Sequence, residues 1–126
     1  MGNDRRVRRL TVGDDVWLWS LRHGHRDGTC HKALSLTREG TGVRLRIEFR
    51  DGPGRIVSGG YWDAGSVGVR GGDWLNLHEP GAVRQLLDEA LAAGFTAPAE
   101  IDGWQLFDAL VGRTAAASGP AAGTAQ

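Results

Sequence analysis

The sequence lacks the features that mark several large classes of protein. It contains a single cysteine, Cys30, and therefore cannot form an internal disulfide bond, which is typical of proteins from a reducing compartment. No run approaches the roughly 20 apolar residues that a membrane-spanning helix needs. The first residues are charged and no apolar segment follows them, so we expect no secretory signal. These absences predict a cytoplasmic protein that does not span a membrane.

Signature motifs of catalysis are also missing. There is no phosphate-binding GxxxxGK[ST] loop. Gly65, Gly68 and Gly71 give only a GxxGxxG spacing, without a strong strand before it and a helix after it. We therefore expect no cofactor, and the motifs indicate no enzymatic activity.

The chain is too short for two independently cored domains. Its 126 residues give one domain room to bury most of its apolar surface, and we expect a single domain over residues 1–113. From Thr114 onward the sequence TAAASGPAAGTAQ is low in complexity and has no large apolar residue that could dock. Residues 114–126 are therefore predicted to form a disordered tail.

Apolar and polar residues alternate through most of the first fifty positions. The clearest example is VRLRIEF, at 43–49, where apolar residues alternate with Arg and Glu as in a strand with one buried and one wet face. Gly- and Asp-containing breaks separate four such segments, which predicts an antiparallel meander. Residues 52–72 contain eight glycines and two short apolar runs that could form edge strands, at 56–57 and 67–69. DWLNL, at 73–77, predicts a further short strand.

Two helices are predicted in the second half. Pro80 suits a first helical turn, an apolar stripe at helical spacing follows, and Gly94 can end the helix in a left-handed conformation, which predicts a helix over 80–93. Asp102 is placed to cap a second, short helix over 103–111. The predicted class is α+β, with an antiparallel meander of about five strands packed by a C-terminal helix and a second short helix.

The order of these segments resembles a known pattern. EPGAVRQLLDEALAAGF follows a meander containing VWLWSLRHG and precedes DGWQLFDALV. This order is similar to that of small uncharacterised bacterial proteins in which a helix from Pro to Gly completes an alternating sheet. The excess of arginine over lysine, with abundant Ala and Gly, is similar to proteins from high-GC actinobacterial genomes. The resemblance covers residues 15–111 and implies the fold alone.

The stretch RHGHRDGTCHK concentrates histidine and cysteine around an Asp-Gly pair. Asp27-Gly28 predicts a two-residue hairpin turn, which places His23 opposite Lys32 and His25 opposite Cys30. Since side chains alternate along a strand, these four lie on one face. Structural zinc sites take four Cys or His donors, and only three converge here, beside a lysine. His23, His25 and Cys30 therefore stay weak candidate ligands for a small metal-dependent enzyme, and we favour a structural role.

The two halves of the chain carry opposite charge, although the net charge is zero. Residues 1–50 hold eleven basic side chains against six acidic ones, and residues 51–126 hold four against nine. This layout is typical either of a basic sheet that meets acidic helices within one fold or of a basic face for a nucleic acid or an acidic partner. Arg22, Arg44 and Arg46 are predicted to lie on the sheet face opposite the tryptophans.

A second candidate contact region is aromatic. Tyr61 and Trp62 lie among glycines without apolar neighbours at strand or helix spacing, a composition typical of an interaction anchor. We therefore expect a non-enzymatic module of the accessory, adaptor or immunity type that binds a protein through the basic face or this loop. A nucleic-acid-binding protein is the alternative, although such sheets usually interleave aromatics with cations. Self-association is left open.

Overall fold

Eight strands and two helices make up the described part of this computed structural model. It describes residues 7–26, 29–57, 65–96 and 98–118, without the side chains of His25, Arg26 and residues 113–118. In chain order the elements are β1 Arg8–Val12, β2 Asp15–Arg26, β3 Thr29–Arg38, β4 Arg44–Arg50, β5 Arg55–Val57, β6 Ser66–Val69, β7 Trp74–Asn76, α1 Pro80–Ala92, β8 Ala99–Asp102 and α2 Gly103–Ser118.

The first four strands form the predicted meander, in which each strand is antiparallel to the next. The register between β2 and β3 is the predicted one, with His23 opposite Lys32 and Trp19 opposite Leu36. The turn residues 27–28 lie outside the described residues. Alternation determines this pairing because a slip of one residue would turn every core side chain toward water.

The fifth strand of this sheet was not predicted. β8 lies parallel to β4, so the sheet order is β1-β2-β3-β4-β8. The runs expected as edge strands instead pair with one another, and β5, β6 and β7 form a separate three-stranded antiparallel sheet. The α+β class is confirmed, and the correction concerns which short strands join which sheet.

One face of the five-stranded sheet forms the core. This inner face carries the odd-numbered side chains of β2 and β4, and both helices and the small sheet pack on its side. The other face, which carries the even-numbered side chains of β2 and β4, is called the outer face below. The inner-face residues buried in the core are Trp17, Trp19, Leu34, Leu36, Leu45, Ile47, Phe49 and Ile101.

The helices begin where the sequence predicts and differ at their ends. α1 ends at Ala92, followed by Gly94 in the left-handed region at φ 95°. α2 begins with the backbone N–H of Trp104 donating to Asp102 Oδ1 at 3.1 Å. It runs to Ser118, past the predicted end at 111, because Ala-rich sequence beyond Gly112 favours helix. Part of the expected tail, 114–118, is thus helical, and 119–126 lies outside the described residues.

Candidate interaction surface

Strand pairing arranges the outer-face side chains in rows that cross the sheet. In an antiparallel pair, directly opposed residues point to the same face and their Cβ atoms lie about 5 Å apart. The register therefore sets charged and small residues side by side from β1 to β8. The rows are Arg9, Leu18, Thr37, Arg44; then Ser20, Ser35, Arg46, Glu100; then Arg22, Ala33, Glu48, Asp102.

The middle of the outer face is a platform of short side chains. We define the platform as Leu18, Ser20, Ser35 and Thr37, all half-buried on β2 and β3. Ala33 follows Ser35 on the outer face of β3 and is only 1% exposed, because it lies between the longer side chains of Arg22 on β2 and Glu48 on β4. The platform is thus low and flat, and longer charged side chains rise around it.

The three arginines predicted for this face do lie on it. Arg22 and Arg44 are exposed, and neither makes an ion pair with any side chain in the described ranges. Arg46 is half-buried, with Nη2 3.9 Å from Glu48 Oε2. Arg9 borders the platform on β1, where its Nη2 is 3.8 Å from Glu39 Oε2. Four arginines therefore surround the platform.

Among the described side chains, the two oppositely charged halves of the chain show ion pairs within each half only. Six ion pairs join described side chains, and in each the two partners come from the same half of the chain. Four of them lie within the basic half, residues 1–50, and two within residues 51–126. The described contacts thus give no support to a basic sheet neutralised by acidic helices, and the outer arginines point away from the helices.

An acidic edge beside the arginines was missed because β8 was missed. Glu100 and Asp102 on β8 lie next to Glu48 on β4, and all three carboxylates border a cleft of about 410 Å³. Trp104 forms one wall, and its Nε1–H donates to the carbonyl of Arg50 at 2.8 Å. The outer face is therefore basic over β1 to β4 and acidic at the β8 edge, rather than uniformly basic.

The hairpin tip places a lysine among the candidate metal ligands. Lys32 is fully buried beside Phe49, and its Nζ lies 2.9 Å from Nδ1 of His23. This hydrogen bond engages Nδ1 of His23, so that ring nitrogen is not available to a metal. Cys30 is half-buried on the same face, and the side chain of His25 lies outside the described residues. The described ranges contain no group of three His, Cys, Asp or Glu side chains that could hold a metal ion.

One described aromatic side chain close to the glycine-rich segment is exposed. Tyr61 and Trp62 lie outside the described residues. Trp74 on β7 is 48% exposed, and its ring covers Gly68 on β6 so closely that a Cβ there would collide with it. Gly71 lies in a turn at φ 74°. Gly68 therefore serves close packing, and Gly71 serves chain reversal.

Comparisons of this chain with protein-family models, with curated proteins and with solved structures found no match. Among the described elements, neither helix combines the length and the apolar composition that crossing a membrane requires. The structure thus defines an α+β protein with one sheet face packed by helices and the other presenting arginines.

Proposed function

We propose that the protein is a cytoplasmic, non-enzymatic interaction module whose outer sheet face binds a protein partner with an acidic surface. The observation that carries this proposal is the exposure of Arg22 and Arg44, without an ion partner in the described ranges, on the same face as Arg46. Cations left unneutralised on one face create a positive potential that attracts and orients an acidic surface.

A nucleic-acid-binding role is the second candidate, and the composition of the outer face argues against it. Single strands bound to sheets are held largely by stacking of bases on aromatic side chains. None of the outer-face residues in the three rows described above is Trp, Tyr or Phe, whereas Trp17, Trp19 and Phe49 lie inside. The carboxylates of Glu100 and Asp102 at the β8 edge would also repel phosphates. A protein partner therefore fits this face better.

The aromatic loop stays part of the proposal as a second contact region. Tyr61 and Trp62 belong to the segment between β5 and β6, and exposed Trp74 lies on the neighbouring strand β7. Large aromatics are common at the centres of protein interfaces. Apolar contact through this region would be separate from the charged contact at the outer face.

Affinity capture with matched charge reversals tests the proposal. The double variant Arg22→Glu, Arg44→Glu reverses two outer cations, and Arg84→Glu reverses an exposed cation on α1 as the control. We expect wild type and the Arg84 variant to retain the same partner, identified by mass spectrometry, and the double variant to lose it. Surface positions of this kind change stability by less than about 0.5 kcal/mol, so the urea midpoint should be unchanged.

Two results would count against this function. One is a partner retained equally by all three proteins, which would place the contact elsewhere. The other is binding to duplex or single-stranded DNA that falls steeply with salt and is lost in the double variant, which would favour the nucleic-acid alternative.

A further inference from the structure

The platform on the outer face has the width of a helix. Arg9 on β1 and Arg44 on β4 lie at the two ends of one row, with Leu18 and Thr37 between them. Neighbouring strands lie about 4.8 Å apart, so these two arginines are separated by three spacings, or roughly 14 Å. An α-helix with its side chains is about 10–12 Å across. A helix laid along the strands would therefore rest on the small residues with cations on both flanks.

An extended segment would fit the same surface poorly. Its backbone N–H and C=O groups would need partners, and the backbone groups of β2 and β3 already pair within the sheet. Added strands dock at sheet edges, where unpaired backbone groups are exposed, rather than on a face. A helix satisfies its own backbone groups internally and can be laid on a face at no such cost.

The distance between two of the arginines matches the distance between acidic residues four positions apart on an α-helix. Arg44 and Arg46 are two positions apart on β4, which places them on one face about 6.8 Å apart along the strand. Helical residues separated by four positions rise about 6 Å and lie on one side of the helix. Carboxylates at positions i and i+4 would therefore meet these arginines in turn, and a third on the other flank would meet Arg9.

We propose that the partner segment is an α-helix of about two to three turns, with a stripe of short side chains toward the platform and carboxylates along both flanks. This inference rests on the proposed function, because it names the partner of the same face. In the third row Asp102 on β8 repels further carboxylates, whereas Arg22 lies on the β2 side of the same row. The complementary charge thus comes from Arg9, Arg44 and Arg46, and Arg22 extends it on the β2 side.

Synthetic peptides provide the test. The first has an Ala/Leu stripe flanked by Glu at i and i+4. The second differs from it only by a central Pro, which breaks the helix. The third has Lys in place of each Glu. Binding to the full chain is measured by fluorescence anisotropy and mapped by backbone amide shifts. We expect only the first peptide to bind, with shifts on β2 and β3. Arg44→Ala should weaken it about fivefold, and Arg84→Ala should leave it unchanged.

The outcomes separate this inference from the function on which it rests. Equal binding of the Pro-containing peptide, or amide shifts confined to β7, would contradict the proposal that the partner segment is a helix. A DNA oligonucleotide that displaces the first peptide at equal concentration would overturn it in favour of a nucleic acid. If no peptide binds while the captured partner still depends on Arg22 and Arg44, the proposed function stands and the helix fails. If that dependence is absent as well, both fail.

Discussion

At the scale of single residues, the most unusual placement is a fully buried lysine. Lys32 is the only lysine in the chain and lies between His23 and Phe49 in neighbouring strands. Burying a lysine nitrogen is costly unless hydrogen bonds compensate, and Nζ makes one with His23 Nδ1 at 2.9 Å. The aliphatic part of the side chain meanwhile extends the apolar face toward the hairpin tip. A lysine packed against His23 in this way argues against a metal centre at the hairpin tip.

A second charged residue, Asp108 on α2, links that helix to the small sheet. Arg55 on β5 donates to both carboxylate oxygens of Asp108, at 2.7 and 2.8 Å, and its guanidinium lies 5.0 Å from the ring centre of Trp104. The hydrogen bond from Arg55 lowers the pKa of Asp108, although burial opposes this shift. The same bond raises the pKa of Arg55.

We predict that Asp108→Asn makes the protein less stable at neutral pH and removes part of its acid sensitivity. Because the pKa of Asp108 is lower when folded, its stabilising effect is present above the ordinary Asp pKa and lost as pH falls through the folded pKa. The side chain is 55% exposed, so the loss should be about 1 kcal/mol or less. Urea midpoints at neutral and acidic pH measure it. A gap between wild type and variant that persists in acid would contradict this cause.

At the scale of elements, the junction between β8 and α2 depends on a close approach. Gly103 begins α2 directly after Asp102 and faces Phe49 of β4, where an added Cβ would come within 2.6 Å of the ring. Phe49 is fully buried and packs edge-on against Trp104, with ring centroids 5.1 Å apart. The ring therefore has little room to move aside, and the glycine is required by packing rather than by backbone conformation.

We predict that Gly103→Ala destabilises the fold by about 1–3 kcal/mol, the usual cost of overpacking a core. The matched control is Gly112→Ala in the same helix, where an added Cβ meets nothing within 4 Å. There the better helix propensity of alanine should stabilise the protein by up to about 1 kcal/mol. Urea unfolding compares the two. If both substitutions stabilise, the approach of Phe49 is looser than the structure indicates.

At the scale of the whole molecule, the two sheets share one core. Val57, Val67 and Leu77 from the region of the small sheet belong to the same buried cluster as Trp17 and the other inner-face residues of the large sheet. A three-stranded sheet needs a buried hydrophobic face to be stable, and the shared core provides it here. The two sheets should therefore unfold together, although the chain forms them from different segments.

We predict that Val67→Ala lowers the stability of the whole protein, by about 1–3 kcal/mol, rather than loosening the small sheet alone. Val67 is fully buried on β6, so its truncation removes apolar contact from the shared core. Tryptophan fluorescence and far-UV circular dichroism should report one coincident urea transition, shifted to lower concentration. Two separated transitions in the variant would show that the small sheet is an independent unit.

How much of the fold could be predicted from the sequence depends on whether the contacts join neighbouring or distant segments of the chain. Alternation at 43–49 and the Asp-Gly pair gave the meander and its register, because local period and turn chemistry determine both. β8 could not be found in this way, since it has one buried apolar residue, Ile101, and is paired with a strand about fifty residues earlier. The burial of Lys32 was likewise hidden, because a lysine at the end of an apolar face is usually exposed.

The sequence by itself determined the antiparallel meander, the starts of both helices and the face on which Arg22, Arg44 and Arg46 lie. These are properties of residues near one another in the chain, and local physics suffices for them. Only the tertiary structure decided that β8 adds an acidic edge, that the short strands form their own sheet, and that the described ion pairs stay within each half. Such pairings join distant segments, and packing of the whole chain selects among them.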